Sequence, residues 1–116
     1  MKFLSIYKGV ETNQPPTQEM MDKMDALIAD AMQRGELIAT EGCLPSAFGS
    51  RVRRSNGSIT VTDGPFAETN EVIGGFALIS VRSKEEAIEW TKRFIGIVGD
   101  GESEIRQLCE VPASQA

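Results

Sequence analysis

Arg51-Val52-Arg53-Arg54-Ser55-Asn56-Gly57-Ser58-Ile59-Thr60-Val61-Thr62-Asp63-Gly64-Pro65-Phe66 is the stretch on which the reading of the fold turns. Asn56-Gly57 is the dipeptide preferred by a two-residue type I′ hairpin, because both central positions need positive φ. Counting outward sets the register: Ser55 faces Ser58, Arg54 faces Ile59, Arg53 faces Thr60, Val52 faces Val61, and Arg51 faces Thr62. One face of the predicted hairpin then carries Val52, Arg54, Ile59 and Val61. The other carries Arg51, Arg53, Thr60 and Thr62, so two guanidinium groups share a face with two hydroxyls. Asp63-Gly64-Pro65 follows as a rigid acidic turn in which proline presets the backbone.

On the N-terminal side, residues 2–8 alternate, with Leu4 and Ile6 on one face and Phe3, Ser5 and Tyr7 on the other. Apolar side chains on both faces predict a sheet covered on both sides. After a turn over 11–16, Pro15-Pro16 suits the approach to a helix. Met20, Met24, Leu27, Ile28, Ala31 and Met32 recur at three- and four-residue steps, which predicts an amphipathic helix over 17–34. Gly35 is its left-handed stop. Residues 36–41 read as a second strand and 44–49 as an irregular connector.

On the C-terminal side, Gly74-Gly75 leads into 76–81, the most apolar strand and hence a central one. Ser83-Lys84-Glu85-Glu86 has capping-box spacing, in which Ser83 and Glu86 satisfy free amides reciprocally. The helix behind it buries Ala87, Trp90, Thr91 and Phe94. Residues 95–101 read as a loop. A strand over 104–111 follows, with Ile105, Gln107, Cys109 and Val111 on one side, and 112–116 is expected to be a frayed tail.

The element order β-α-β-(ββ)-β-α-β predicts an α+β fold, a ferredoxin-like split βαβ with an inserted hairpin, in one domain over 1–116. Two helices cover one face of such a sheet. The apolar residues of the other face predict a homodimer through the open sheet face, a dimeric α+β barrel.

Composition narrows the function. The formal charge is −5, which gives no electrostatic support for direct nucleic-acid binding. No stretch is long and apolar enough for a membrane span, and no signal-peptide succession opens the chain, so a cytoplasmic location is expected. Cys43 and Cys109 are expected to be free thiols there. With no histidine in the chain, the commonest general base and metal ligand is missing, and neither a metal nor a cofactor is expected.

Asp63 is the strongest catalytic candidate: an ionised carboxylate beside Arg51 or Arg53 can orient a substrate or take a proton. Its alternative is purely a turn role, with the carboxylate accepting backbone amides. Arg51, Arg53 and Arg54 can grip a carboxylate or phosphate, or they can simply keep a hairpin edge from pairing. Thr62 lies beside Arg51 and Asp63. Tyr7, the only tyrosine, can donate to a ligand at the end of the first strand or pack its ring. Glu41, Glu68 and Glu71 are further bases in place of histidine, or solvated loop groups. Cys43 has no adjacent base to activate it, and Cys109 reads as a small core residue.

Thr62–Glu71 resembles the signature of the YCII-related, or DGPF-domain, family of small bacterial proteins. The likeness extends to Met1–Tyr7, to Gly35-Glu36-Leu37 and Glu41-Gly42-Cys43-Leu44-Pro45, to Gly74-Gly75-Phe76 and to Glu86-Ala87-Ile88-Glu89-Trp90. It implies the dimeric α+β barrel. Some relatives are thought to act on small cyclic substrates through a His–Asp pair, whose histidine lies near the start of the first helix. Residues 17–24 hold no histidine, so that chemistry does not transfer. Other DGPF domains accompany sigma factors.

Two functions are therefore expected. The first is binding of a small polar or anionic organic molecule near Asp63, Arg51, Arg53, Thr62 and Tyr7, with acid–base chemistry. The alternative is a non-catalytic regulatory module of sigma-factor control, with a filled barrel and an exposed patch.

Overall fold

The computed structural model describes residues 1–12, 14–66 and 72–110. In chain order the elements are β1 (Lys2–Gly9), α1 (Gln18–Gln33), β2 (Leu37–Gly42), β3 (Ser50–Ser55), β4 (Ser58–Asp63), β5 (Val72–Ser80), α2 (Lys84–Val98) and β6 (Glu102–Gln107). Four strands form an antiparallel sheet in the order β2-β5-β1-β6, while β3 and β4 pair only with each other. This is the split βαβ arrangement with a hairpin inserted between β2 and β5. Among the described residues no helix is long and apolar enough to cross a membrane.

The alternation of β1 decides which face the helices cover. Phe3 and Ser5 oppose Ile79 and Ala77 of β5, and Leu37 of β2 reaches the same Ile79. These side chains are buried together with Leu27 and Ala31 of α1 and Ala87 and Trp90 of α2. Ser5 and Thr91, both buried, share a hydrogen bond (Oγ to Oγ1, 3.4 Å). Leu4 faces Leu78 and Ile6 faces Phe76 on the other side, which among the described residues neither helix covers.

Both helix starts are capped as their sequences dictate. Thr17 Oγ1 accepts the Met20 amide (3.1 Å), and Ser83 Oγ accepts that of Glu86 (3.2 Å). The return half of the second cap differs from the reciprocal box. Glu86 takes the backbone amide and the guanidinium of Arg82, one residue earlier than Ser83. These bonds, the amide first and the guanidinium second, hold the Glu86 carboxyl below its usual value of 4.5. A depressed carboxylate stabilises the fold above its unfolded pKa and loses that contribution as pH falls through the folded one. The gap in Tm between this protein and its Glu86→Gln variant should therefore close on acidification. A gap independent of pH would show that the charged cap is not what Glu86 contributes.

Four boundaries depart from expectation, the first being β5, which starts at Val72 and includes Gly74-Gly75 where a strand over 76–81 is expected. Helix α2 continues through Val98, so 95–98 is helix and the loop shortens, with Gly99 at φ 98° ending the helix. Strand β6 begins at Glu102 and ends at Gln107, so it stops short of 111; Val111 and the 112–116 tail lie outside the described residues. Cys109 then falls beyond the strand and is exposed, not a core residue. Helix periodicity is weak across Gly96, and alternation in β6 does not mark where pairing with β1 runs out.

Candidate functional site

The hairpin keeps the register counted from Asn56-Gly57, from Ser55↔Ser58 to Arg51↔Thr62, with one further pair, Ser50↔Asp63. Asn56 (φ 52°) and Gly57 (φ 81°) take the two positive φ values the turn requires. Every residue from Ser50 to Asp63 is exposed. At the last pair Ser50 donates its hydroxyl to Asp63 Oδ1 (2.7 Å). The Asp63 carboxylate is thus held by a side chain across the hairpin.

The turn after Asp63 is pinned to a short 3₁₀ helix at Ser46–Phe48. Gly64 donates its amide to Gly49 O (2.9 Å), and Phe66 donates its own to Ser46 Oγ (3.1 Å). Ser46 is buried, and Glu11, two residues past β1, accepts hydrogen bonds from both its amide and its hydroxyl. Three segments distant in sequence are drawn together by this one carboxylate. Ser46 in turn holds Phe66, whose ring lies under the Arg51 guanidinium with Cζ 3.8 Å from the centroid. A cation over an aromatic face is attracted by the ring quadrupole.

Three adjoining cavities open at this end of the sheet. The first, of about 560 Å³, is walled by Arg51, Phe66, Ser50, Phe48 and the 43–46 connector. It shares Cys43, Leu44, Pro45, Val72 and Ile73 with a smaller one of about 170 Å³. That one in turn shares Tyr7 and Gly74 with a third of about 440 Å³, between the sheet end and the helices, lined by Met24, Ile28, Phe94 and Val98. Arg51 and Tyr7 therefore border different members of one series.

Tyr7 stands edge-on to Phe94 (5.9 Å between centroids, 71°) and donates its hydroxyl to Asp100 O (2.8 Å). Its ring is boxed by glycine: a Cβ at Gly9, Gly74 or Gly101 would fall within about 3 Å of it. Burial, and secondarily the charge of Asp100, raise the phenol above its ordinary 10.0. The folded state therefore keeps its proton after the unfolded chain's tyrosine ionises, which costs stability above that pH. Ultraviolet titration of this one ionisable phenol should show a midpoint above the ordinary value. A midpoint at the ordinary value would mean a solvated ring.

The other candidates are dispersed. Arg53 and Thr62 share the Arg51 face of the hairpin, but neither borders these cavities, and Arg54 lies on the opposite face. Asp63 reaches the first cavity only through its hydrogen-bonded Ser50. Glu41 borders the third, and Cys43 the first two. Glu68 and Glu71 lie outside the described residues. Among the described residues no cluster of three or more acidic or thiol groups suited to a metal is found. Phe66, Ser46 and Glu11 were not singled out by sequence. Phe66 could have been, since the hairpin register brings Thr62 opposite Arg51 and Phe66 follows four residues later. Nothing in the chain marks a contact between Glu11 and Ser46.

A sequence model of the YCII-related domain matches residues 1–111, nearly the whole chain. The chain belongs to the YCII-related family. An uncharacterized protein, R00369 of Rhizobium meliloti (strain 1021), is 32% identical over 75 residues. That alignment covers 65% of this chain and 60% of the relative, so the chain spans about three-fifths of the curated relative's length. Among solved structures, 5-chloro-2-hydroxyhydroquinone dehydrochlorinase (TftG) of Burkholderia phenoliruptrix AC1100 superposes with a TM-score of 0.51 over 96% of each chain. Sequence identity is 14%, so the likeness is one of fold. That structure is a complex with 2,5-dihydroxybenzoquinone.

Proposed function

We propose that this YCII-related chain binds a small, planar, polar or anionic organic molecule between Arg51 and the Tyr7 end of the adjoining cavities, and that it works on it by proton transfer. The observation that carries the reading is the Arg51 guanidinium held over Phe66 on the wall of a cavity of about 560 Å³. A volume of that order suits a small ligand, and a guanidinium in a fixed plane suits an oxyanion. Ser50 and Asp63 sit at the edge of the same wall, with Asp63 as the base and Ser50 as the hydroxyl through which it reaches the cavity. The fold likeness to a dehydrochlorinase that acts on a small hydroxylated ring agrees in kind. The open sheet face with Leu4, Ile6, Phe76 and Leu78 supports a homodimer.

The test uses 2,5-dihydroxybenzoquinone as probe, with calorimetry for binding and proton NMR in D₂O for exchange of its ring hydrogens. Losing a charged contact is worth about 1.5–3 kcal/mol, so Arg51→Gln should weaken binding roughly tenfold to a hundredfold. Asp63→Asn should leave binding intact and slow the exchange about a hundredfold. Equal binding by the protein and Arg51→Gln would remove the site.

A regulatory module is the second reading. The bare apolar side chains of the hairpin favour it, whereas open cavities of ligand size do not.

A further inference from the structure

We propose that the β3–β4 hairpin is an exchanged arm, and that the apolar face of one copy closes the Arg51 cavity of a second copy of this chain. This rests on the small-molecule reading above. Leu44 and Phe48 wall that cavity, yet each presents most of its surface to solvent. On the hairpin, Val52, Ile59 and Val61 form one face and are equally bare; the five residues are between 64% and 77% exposed.

These two apolar surfaces both stay bare in the single chain. The hairpin starts at Ser50, two residues after Phe48 of the connector. Among the described residues its strands pair only with each other. The molecule is accordingly flat, 45 × 44 × 19 Å, with a radius of gyration of 16.2 Å against about 13 Å for a compact chain of this size. An isolated two-stranded hairpin is marginal in water, so this one needs a partner for its apolar face.

Two features identify that partner as a second copy. A two-fold axis lets the arm of each copy meet the connector of the other, satisfying both bare surfaces with one contact type. Charge agrees: the arm carries Arg51, Arg53 and Arg54 against Asp63 alone, so the rest of the chain is more acidic than the −5 total. A basic arm is drawn to an acidic body. The dimer is then a condition for the site, because among the described residues the cavity is open where Leu44 and Phe48 face solvent.

The experiment compares the full chain with Ile59→Asp/Val61→Asp, whose positions are exposed in the single chain and leave its core intact. Folding is checked by circular dichroism, oligomeric state by sedimentation, and the site by calorimetry with 2,5-dihydroxybenzoquinone. The arm variant should stay folded, dissociate at lower dilution, and bind the probe at least about tenfold more weakly. Mixing it with Arg51→Gln should restore binding in about a quarter of all sites, since a hybrid pairs one sound cavity with the other copy's sound arm. An arm variant that binds like the parent, or a mixture that restores nothing, overturns the proposal. If the unaltered protein binds no probe, sedimentation decides alone: dissociation on arm substitution supports the exchanged arm while the ligand reading fails, and unchanged association overturns the arm.

Discussion

Gly64→Ala is expected to destabilise the protein by about 3 kcal/mol and to abolish probe binding, the largest effect available from a single methyl group. A Cβ at Gly64 would lie 1.7 Å from Ser46 O, 2.6 Å from Ser46 C and 3.3 Å from Ala47 N. All three are backbone atoms, so no side chain can swing aside. Relief requires the acidic turn and the 3₁₀ helix to separate by more than an ångström. That movement breaks the hydrogen bond from the Phe66 amide to Ser46 Oγ and lifts the ring from beneath Arg51. Thermal denaturation should show a fall of roughly 10 °C. Calorimetry on the folded variant at low temperature separates loss of the site from loss of the fold. A variant with parental Tm and parental binding would mean that the turn does not lie against Ser46.

Trp90→Ala is the second, with an expected cost of about 4 kcal/mol and a fall in Tm of roughly 15 °C. Trp90 is 2% exposed and is the largest fully buried side chain. It stacks on Phe94 (5.8 Å, 18°), which in turn meets Tyr7 edge-on. Its removal therefore opens a void under the sheet and loosens the wall of the third cavity. With 5–15 kcal/mol typical of a domain, the loss takes much of the total. Trp90→Phe should cost far less. The indole Nε1 is buried without a partner among the described residues, so its deletion also removes an unsatisfied donor. Equal losses in the two variants would mean that ring packing is not what Trp90 contributes.

The parts legible in the chain are those governed by local rules. Asn56-Gly57 specifies its turn because only residues tolerant of positive φ fit there, and the register follows by counting. Thr17 and Ser83 announce helix starts because their oxygens accept amides within one turn. Leu27, Ala31, Ala87 and Trp90 show their burial through helical spacing. From this order of elements the split βαβ sheet follows, as handedness and short connections leave few alternatives.

Tertiary packing decided the rest. Arg51, Asp63 and Tyr7 are each visible as chemistry-bearing residues, but their separation into different members of a cavity series is not. That depends on where Glu11 holds Ser46, and on a glycine box around Tyr7 drawn from Gly9, Gly74 and Gly101. Apart from Gly9, two residues from Tyr7, these contacts join residues tens of positions apart, and no periodicity encodes them. The exposure of Cys109 and the bare hairpin face are likewise properties of what does not pack nearby. Hydrogen-bonding preferences, turn geometry and apolar spacing act over a few residues, so the sequence alone determines the elements, their register and their order. Which side chains share a cavity depends on close packing between segments, and only the folded chain determines that.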